Sequence, residues 1–86
     1  MHEHRLMRDL MQRIESVARA EGGGRVIRVH VWLGALSHFT PDHFAEHFTD
    51  ASAGTIAGSA ETVCEVSRDV RHPDAQGVRL VSVELE

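Results

Sequence analysis

At 86 residues the chain is one domain's worth, and a domain of that length buries only roughly 60–65% of the surface its unfolded chain exposes, so its core is small. A hydrophobic content of 42% with 26% charged residues excludes a disordered tail, and a net charge of −4 with nine Arg and no Lys excludes a phosphate-neutralising nucleic-acid binder. No run approaches the ~18 apolar residues of a membrane span, and the polar start MHEHR has no signal-peptide core behind it, so the expectation is no leader, no membrane contact and the cytoplasm. Cys64 is the single cysteine, so neither an internal disulfide nor a CxxC metal site can form. Seven histidines are the compositional oddity.

In chain order, apolar residues first recur at Leu6, Met7, Leu10, Met11, Ile14, Val17 and Ala18, the spacing of one helix face. Gly22 to Gly24 should end that helix. RVIRVHVWLGALS then alternates as a strand, with Ile27, Val29, Val31 and Leu33 expected on the buried side and Val26, Arg28, His30 and Trp32 on the other. Pro41 suits the first turn of a second helix running to about Ala53, with Ser37 and Thr40 as cap candidates and Phe44, Phe48 and Ala51 as its core stripe. AGTIAGSAE is a small-residue loop, Glu61 to Ser67 a second strand with Thr62, Cys64 and Val66 on one face, RHPDAQG a turn, and VRLVSVELE a third strand.

The order α-β-α-β-β implies an α+β fold in two layers, two helices on one face of a three-stranded mixed sheet. The strand–helix–strand crossover makes the first two strands parallel, and the short turn makes the third antiparallel to the second, joined to it as a hairpin. Residues 1–86 form a single domain. On the open sheet face Val26, Trp32 and Leu80 would make an apolar patch, which reads either as an interface for homodimerisation or partner docking, or as one partly covered Trp.

The first three residues carry the sharpest chemistry. The α-amine of Met1, the backbone nitrogen and imidazole of His2 and the backbone nitrogen of Glu3 form a compact four-nitrogen chelate, a planar set suited to nickel(II) or copper(II) and not to tetrahedral zinc. Backbone nitrogens bind only when deprotonated, and the first N–H groups of a helix have no intrahelical acceptor to lose. Two deprotonated amides also leave the complex formally neutral, which removes most of the helix dipole's objection to a cation. The plainer reading is a solvated first helical turn.

MHE at the start, ARAEGGGRV closing the first helix, VWLGALS ending the first strand, FTPDHFAEHF opening the second helix and AGTIAGSAE after it together resemble the HypA/HybF family of hydrogenase nickel-insertion accessory proteins. The resemblance covers nearly all of residues 1–67, and GVRLVSVELE is similar to that family's closing strand. It implies a non-enzymatic metallochaperone that binds nickel through Met1, His2 and Glu3 for the large subunit of nickel-iron hydrogenase, working with the GTPase HypB. It also implies a zinc domain with two CxxC pairs between the second and third strands. Here a short turn near residues 68–77 stands in its place, so no structural zinc is expected. Where the family commonly has an acidic residue before the second helix, this chain has Thr40, with Asp42 two positions on. The reading from a different class is a metal-independent interaction or scaffold module with the same fold.

A second histidine cluster lies in HFAEH. His43 and His47 stand at the i, i+4 spacing that lets two imidazoles grip one ion, with His38 or Asp50 as further ligand candidates. The same letters match H-x-x-E-H, in which Glu46 would be a hydrolytic base beside zinc, but a third ligand is missing and so small a domain offers little wall for a substrate cleft. An auxiliary metal site at His43 and His47 and a solvated polar helix face both remain open at this point.

Overall fold

The computed structural model describes residues 2–86. Helix α1 spans His2–Ala20 and buries Met7, Leu10, Met11, Ile14 and Ala18, whereas Val17, expected on the same face, is exposed at its rim. It ends where the glycines dictate. Gly22 takes the left-handed conformation at φ 100°, the Gly23 N–H donates to the Ala18 carbonyl (2.7 Å) and the Gly22 N–H to that of Arg19 (3.2 Å), a cap that satisfies two of the helix's orphan acceptors. Helix α2 spans Pro41–Ser52, and its Phe44 and Phe48 are fully buried, each contributing about 1.5–3 kcal/mol of apolar burial. Among the described residues no helix is long and apolar enough to cross a membrane.

Strands β1 (Val26–Leu33), β2 (Glu61–Val66) and β3 (Val78–Leu85) form one sheet in the order β2-β1-β3. The helices cover one face, and the core lies between them and Val26, Val29, Val31 and Leu33. One expectation for β1 fails at its start: Val26 is buried and Ile27 is 37% exposed. The register explains it, since Val26 pairs with Leu85 and Arg28 with Glu84, so β1 carries one extra residue and its inside-outside phase flips there. A second irregularity steps from His30–Ser82 to Val31–Leu80 and leaves Val81 60% exposed.

The expected hairpin between the last two strands is also corrected. β2 runs parallel to β1 and β3 antiparallel to it, so the directions are as expected, but β1 separates the two. A sheet ordered this way buries β1, the most apolar strand, on both edges. The segment from Ser67 to Gly77 therefore crosses the end of β1 instead of turning tightly. The Ser67 N–H donates to the Leu33 carbonyl (2.9 Å), the Leu36 N–H to that of Ala75 (2.7 Å) and the Gly34 N–H to that of Gly77 (2.9 Å). Gly34 permits this approach.

The open sheet face is charged, which overturns the apolar patch proposed from Val26, Trp32 and Leu80. Val26 belongs to the core, Leu80 packs against it, and Trp32 packs against His72 in a tilted arrangement with ring centroids 4.7 Å apart. Beside them Arg28 donates to Glu61 (3.1 Å) and Glu84 (2.6 Å), and Glu84 also meets the His30 ring. The His30 hydrogen bond holds the Glu84 carboxyl below the usual carboxylate range against the opposing effect of desolvation, and the Arg28 charge and hydrogen bond lower it further. A carboxyl depressed in the folded state adds stability that is complete above the unfolded value near ~4.3 and is lost as pH falls through the folded value. Glu84→Gln should therefore lower the melting temperature at pH 7, and the gap to the parent protein should shrink steadily below about pH 4.3; a constant gap down to pH 3 would show that the carboxylate's charge contributes nothing.

Candidate metal centre

The residues at the head of α2 are set by its cap. Thr40 is extended at φ −92° and ψ 163°, and its hydroxyl accepts from the His43 N–H, while its carbonyl accepts from the Phe44 N–H (2.9 Å). Pro41 occupies the first turn, where its missing N–H costs nothing. With the helix phased so that Phe44 and Phe48 point to the core, His43 and His47 fall together on the flank that faces α1.

That flank meets the first turn of α1. His43 Nε2 lies 2.9 Å from His47 Nε2 and 3.7 Å from Glu3 Oε2, and one ligand atom from each of Glu3, His43 and His47 falls within 4.8 Å of the other two. All three residues are partly exposed. The imidazoles are braced from below by Phe39, whose ring centroid lies 5.3 Å from that of His43 and 6.0 Å from that of His47. Phe39 is itself buried and packs edge-on against Phe44. His38, the preceding residue, has a positive φ of 67°, and this left-handed kink carries the chain from the loop into the Phe39 position.

Of the predicted ligands, Met1 and the side chain of His2 lie outside the described residues. Glu3 is brought to His43 and His47, a union that the sequence does not advertise because forty residues separate the two segments. Neither His38 nor Asp50 belongs to the cluster, and Glu46 is exposed outside it, which leaves the H-x-x-E-H pattern without a base beside the imidazoles. Phe39 was overlooked as well. Its signal was present in HFTPD, an aromatic immediately before a Thr-Pro helix start, in the position of a hydrophobic staple. Cys64 sits half-buried on the core side of β2, where desolvation pushes its thiol up; it is packing, not a ligand.

A family model described as HypA, hydrogenase/urease nickel incorporation, metallochaperone, matches residues 1–80. The chain belongs to the HypA family. Relatives named "Hydrogenase maturation factor HypA" include that of Chlorobium limicola, 34% identical over 61 residues, which cover 71% of this chain and 53% of the relative. That of Chlorobium luteolum is 29% identical over 77 residues, 90% of this chain and 61% of the relative. That of Rhizobium leguminosarum bv. viciae is 37% identical over 60 residues, 70% of this chain and 53% of the relative. The chain thus spans between about half and three-fifths of the length of these HypA relatives.

Proposed function

We propose that this HypA-family chain binds nickel(II) as cargo through Met1, His2 and Glu3 and passes it to the large subunit of nickel-iron hydrogenase, working in the cytoplasm with the GTPase HypB and catalysing no reaction itself. The reading is supported by a Met-His-Glu sequence whose His2 and Glu3 open a helix, in a chain of this family. His2 and Glu3 stand in the first turn of α1, where backbone N–H groups have no intrahelical acceptor. Releasing those protons to solvent so that the nitrogens can bind a square-planar ion breaks no ladder bond.

Residues 1–86 are read as a nickel-binding domain in which the segment 68–77 takes the place of a zinc domain. A chain with one cysteine offers no CxxC pair, and structural zinc has no part in the proposal. Homodimerisation loses its motive with the apolar patch and is not part of it either.

The reading is tested by titrating nickel(II) into untagged protein and into His2→Ala. The loss of an outer partner of a metal ligand alone costs 10–100-fold in affinity, so removing a direct ligand should cost about 100-fold or more. Equal nickel affinity in the two proteins would remove the N-terminal site, and no nickel binding by either would leave the metal-independent interaction module as the better account.

A further inference from the structure

We propose that Glu3, His43 and His47 form a second metal site, distinct from the N-terminal chelate, that takes a late first-row divalent ion of borderline softness in an exchangeable way. Two imidazoles and a carboxylate are the donor set that such ions accept, whereas calcium and magnesium demand oxygen. The spacing suits one ion. Metal–nitrogen bonds of ~2.0–2.1 Å place two nitrogens on the same ion roughly 2.9 Å apart at a right angle and about 3.4 Å apart at the tetrahedral angle. His43 and His47 already hold their Nε2 atoms 2.9 Å apart.

Without metal, that contact is one imidazole N–H donating to the other ring's lone pair. An ion bonded to both nitrogens sits off the line between them, so the rings pivot to aim both lone pairs at it while the shared proton passes through solvent to the Nδ1 of its ring. Glu3 Oε2, 3.7 Å from His43 Nε2, is within a small side-chain rotation of the third position. Three features separate this arrangement from a chance i, i+4 pair on a helix surface. The carboxylate comes from a different helix, both imidazoles bring the same nitrogen, Nε2, to one place, and the buried Phe39 packs against both rings from the apolar side. With three protein ligands and about two-fifths of the His43 and Glu3 side-chain surfaces exposed, the remaining coordination position faces solvent, the mark of a site that exchanges its ion rather than one that anchors the fold.

Glu3 joins the two sites through different atoms, its backbone nitrogen in the planar chelate and its carboxylate in the triad. The triad nevertheless needs neither the α-amine nor His2, so the two readings can fail separately. The test is titration with zinc(II) alone, which the planar four-nitrogen set does not suit, into the full chain and three variants whose folding is checked by circular dichroism. About one zinc per chain is expected in both the parent protein and His2→Ala, with affinity falling about 10-fold or more in His43→Gln/His47→Gln and measurably in Glu3→Gln. Imidazole nitrogen resonances give a second readout in the unmodified protein: those of His43 and His47 should shift with zinc while those of His30, His38 and His72 stay. Zinc binding that survives His43→Gln/His47→Gln, that disappears in His2→Ala, or that moves the other imidazoles would overturn the second site. The nickel proposal is judged separately, by the spectrum and affinity of nickel in His2→Ala.

Discussion

Acetylation of the Met1 α-amine, selective in a chain without Lys, is expected to abolish the yellow, diamagnetic complex proposed for nickel(II) at Met1, His2 and Glu3. The planar chelate depends on the free amine: it closes one ring around the ion with the deprotonated His2 nitrogen, and that nitrogen closes a second ring with the His2 imidazole. Acetylation takes the amine's lone pair out of the set, although every side chain is still present. Affinity should fall about 100-fold or more, the scale set by removing a direct ligand. The zinc affinity of Glu3, His43 and His47 should remain, because no atom of that triad belongs to residue 1. An acetylated protein with the same nickel spectrum and affinity as the parent would sink the N-terminal chelate.

The largest expected effect on stability comes from a single methyl group. In Gly34→Ala the new Cβ would lie 2.2 Å from the Ala75 carbonyl oxygen and 2.6 Å from its carbon, and both are backbone atoms that cannot rotate away. The segment that crosses the end of β1 must lift, which threatens the Gly34–Gly77 and Leu36–Ala75 hydrogen bonds and the buried Ala75 contact. Overpacking of this kind costs about 3 kcal/mol. For a domain of this size each kcal/mol is worth roughly 4–8 °C in melting temperature, so a fall of about 12 °C or more is expected in thermal unfolding followed by circular dichroism. A drop of only a degree or two would show that residues 67–77 are loosely held and that the crossing contributes little to the fold.

How far the sequence discloses this molecule depends on how local each signal is. α1, its glycine cap, α2 behind Thr40 and Pro41, and the three strands are set by periodicity and turn chemistry within a few residues, and they stand as expected. The β1 face was misjudged only at Val26 and Ile27, because a bulge is a property of two paired strands and leaves no mark on one. Strand order escapes the sequence for the same reason: RHPDAQG reads as a tight turn, yet β1, whose core face carries Val26, Val29, Val31 and Leu33, takes the place between β2 and β3. In the site, the i, i+4 pair of His43 and His47 was legible, since one helix carries both. Glu3 was legible only as part of the N-terminal motif. Its second neighbourhood arises from the packing of α1 on α2, which no spacing along the chain encodes.

The central claim, that nickel is held by the N-terminal nitrogens, is tested most directly by counting the protons that binding releases as a function of pH. The α-amine, with an ordinary value near ~7.7–8.0, two backbone amides and the His2 imidazole near ~6.5 must all give up protons before four nitrogens surround the ion. A site built of imidazoles alone has no amine or amide proton to release. Isothermal titration of nickel(II) in paired buffers of different ionisation enthalpy gives the count. The account predicts that the tightest nickel site gains affinity steeply between roughly pH 6.5 and 8.5 and releases more than about two protons per ion in the upper half of that range. An affinity that levels off by about pH 7.5 with fewer than about one proton released, unchanged in His2→Ala and lost in His43→Gln/His47→Gln, would contradict it and assign the nickel to the second helix.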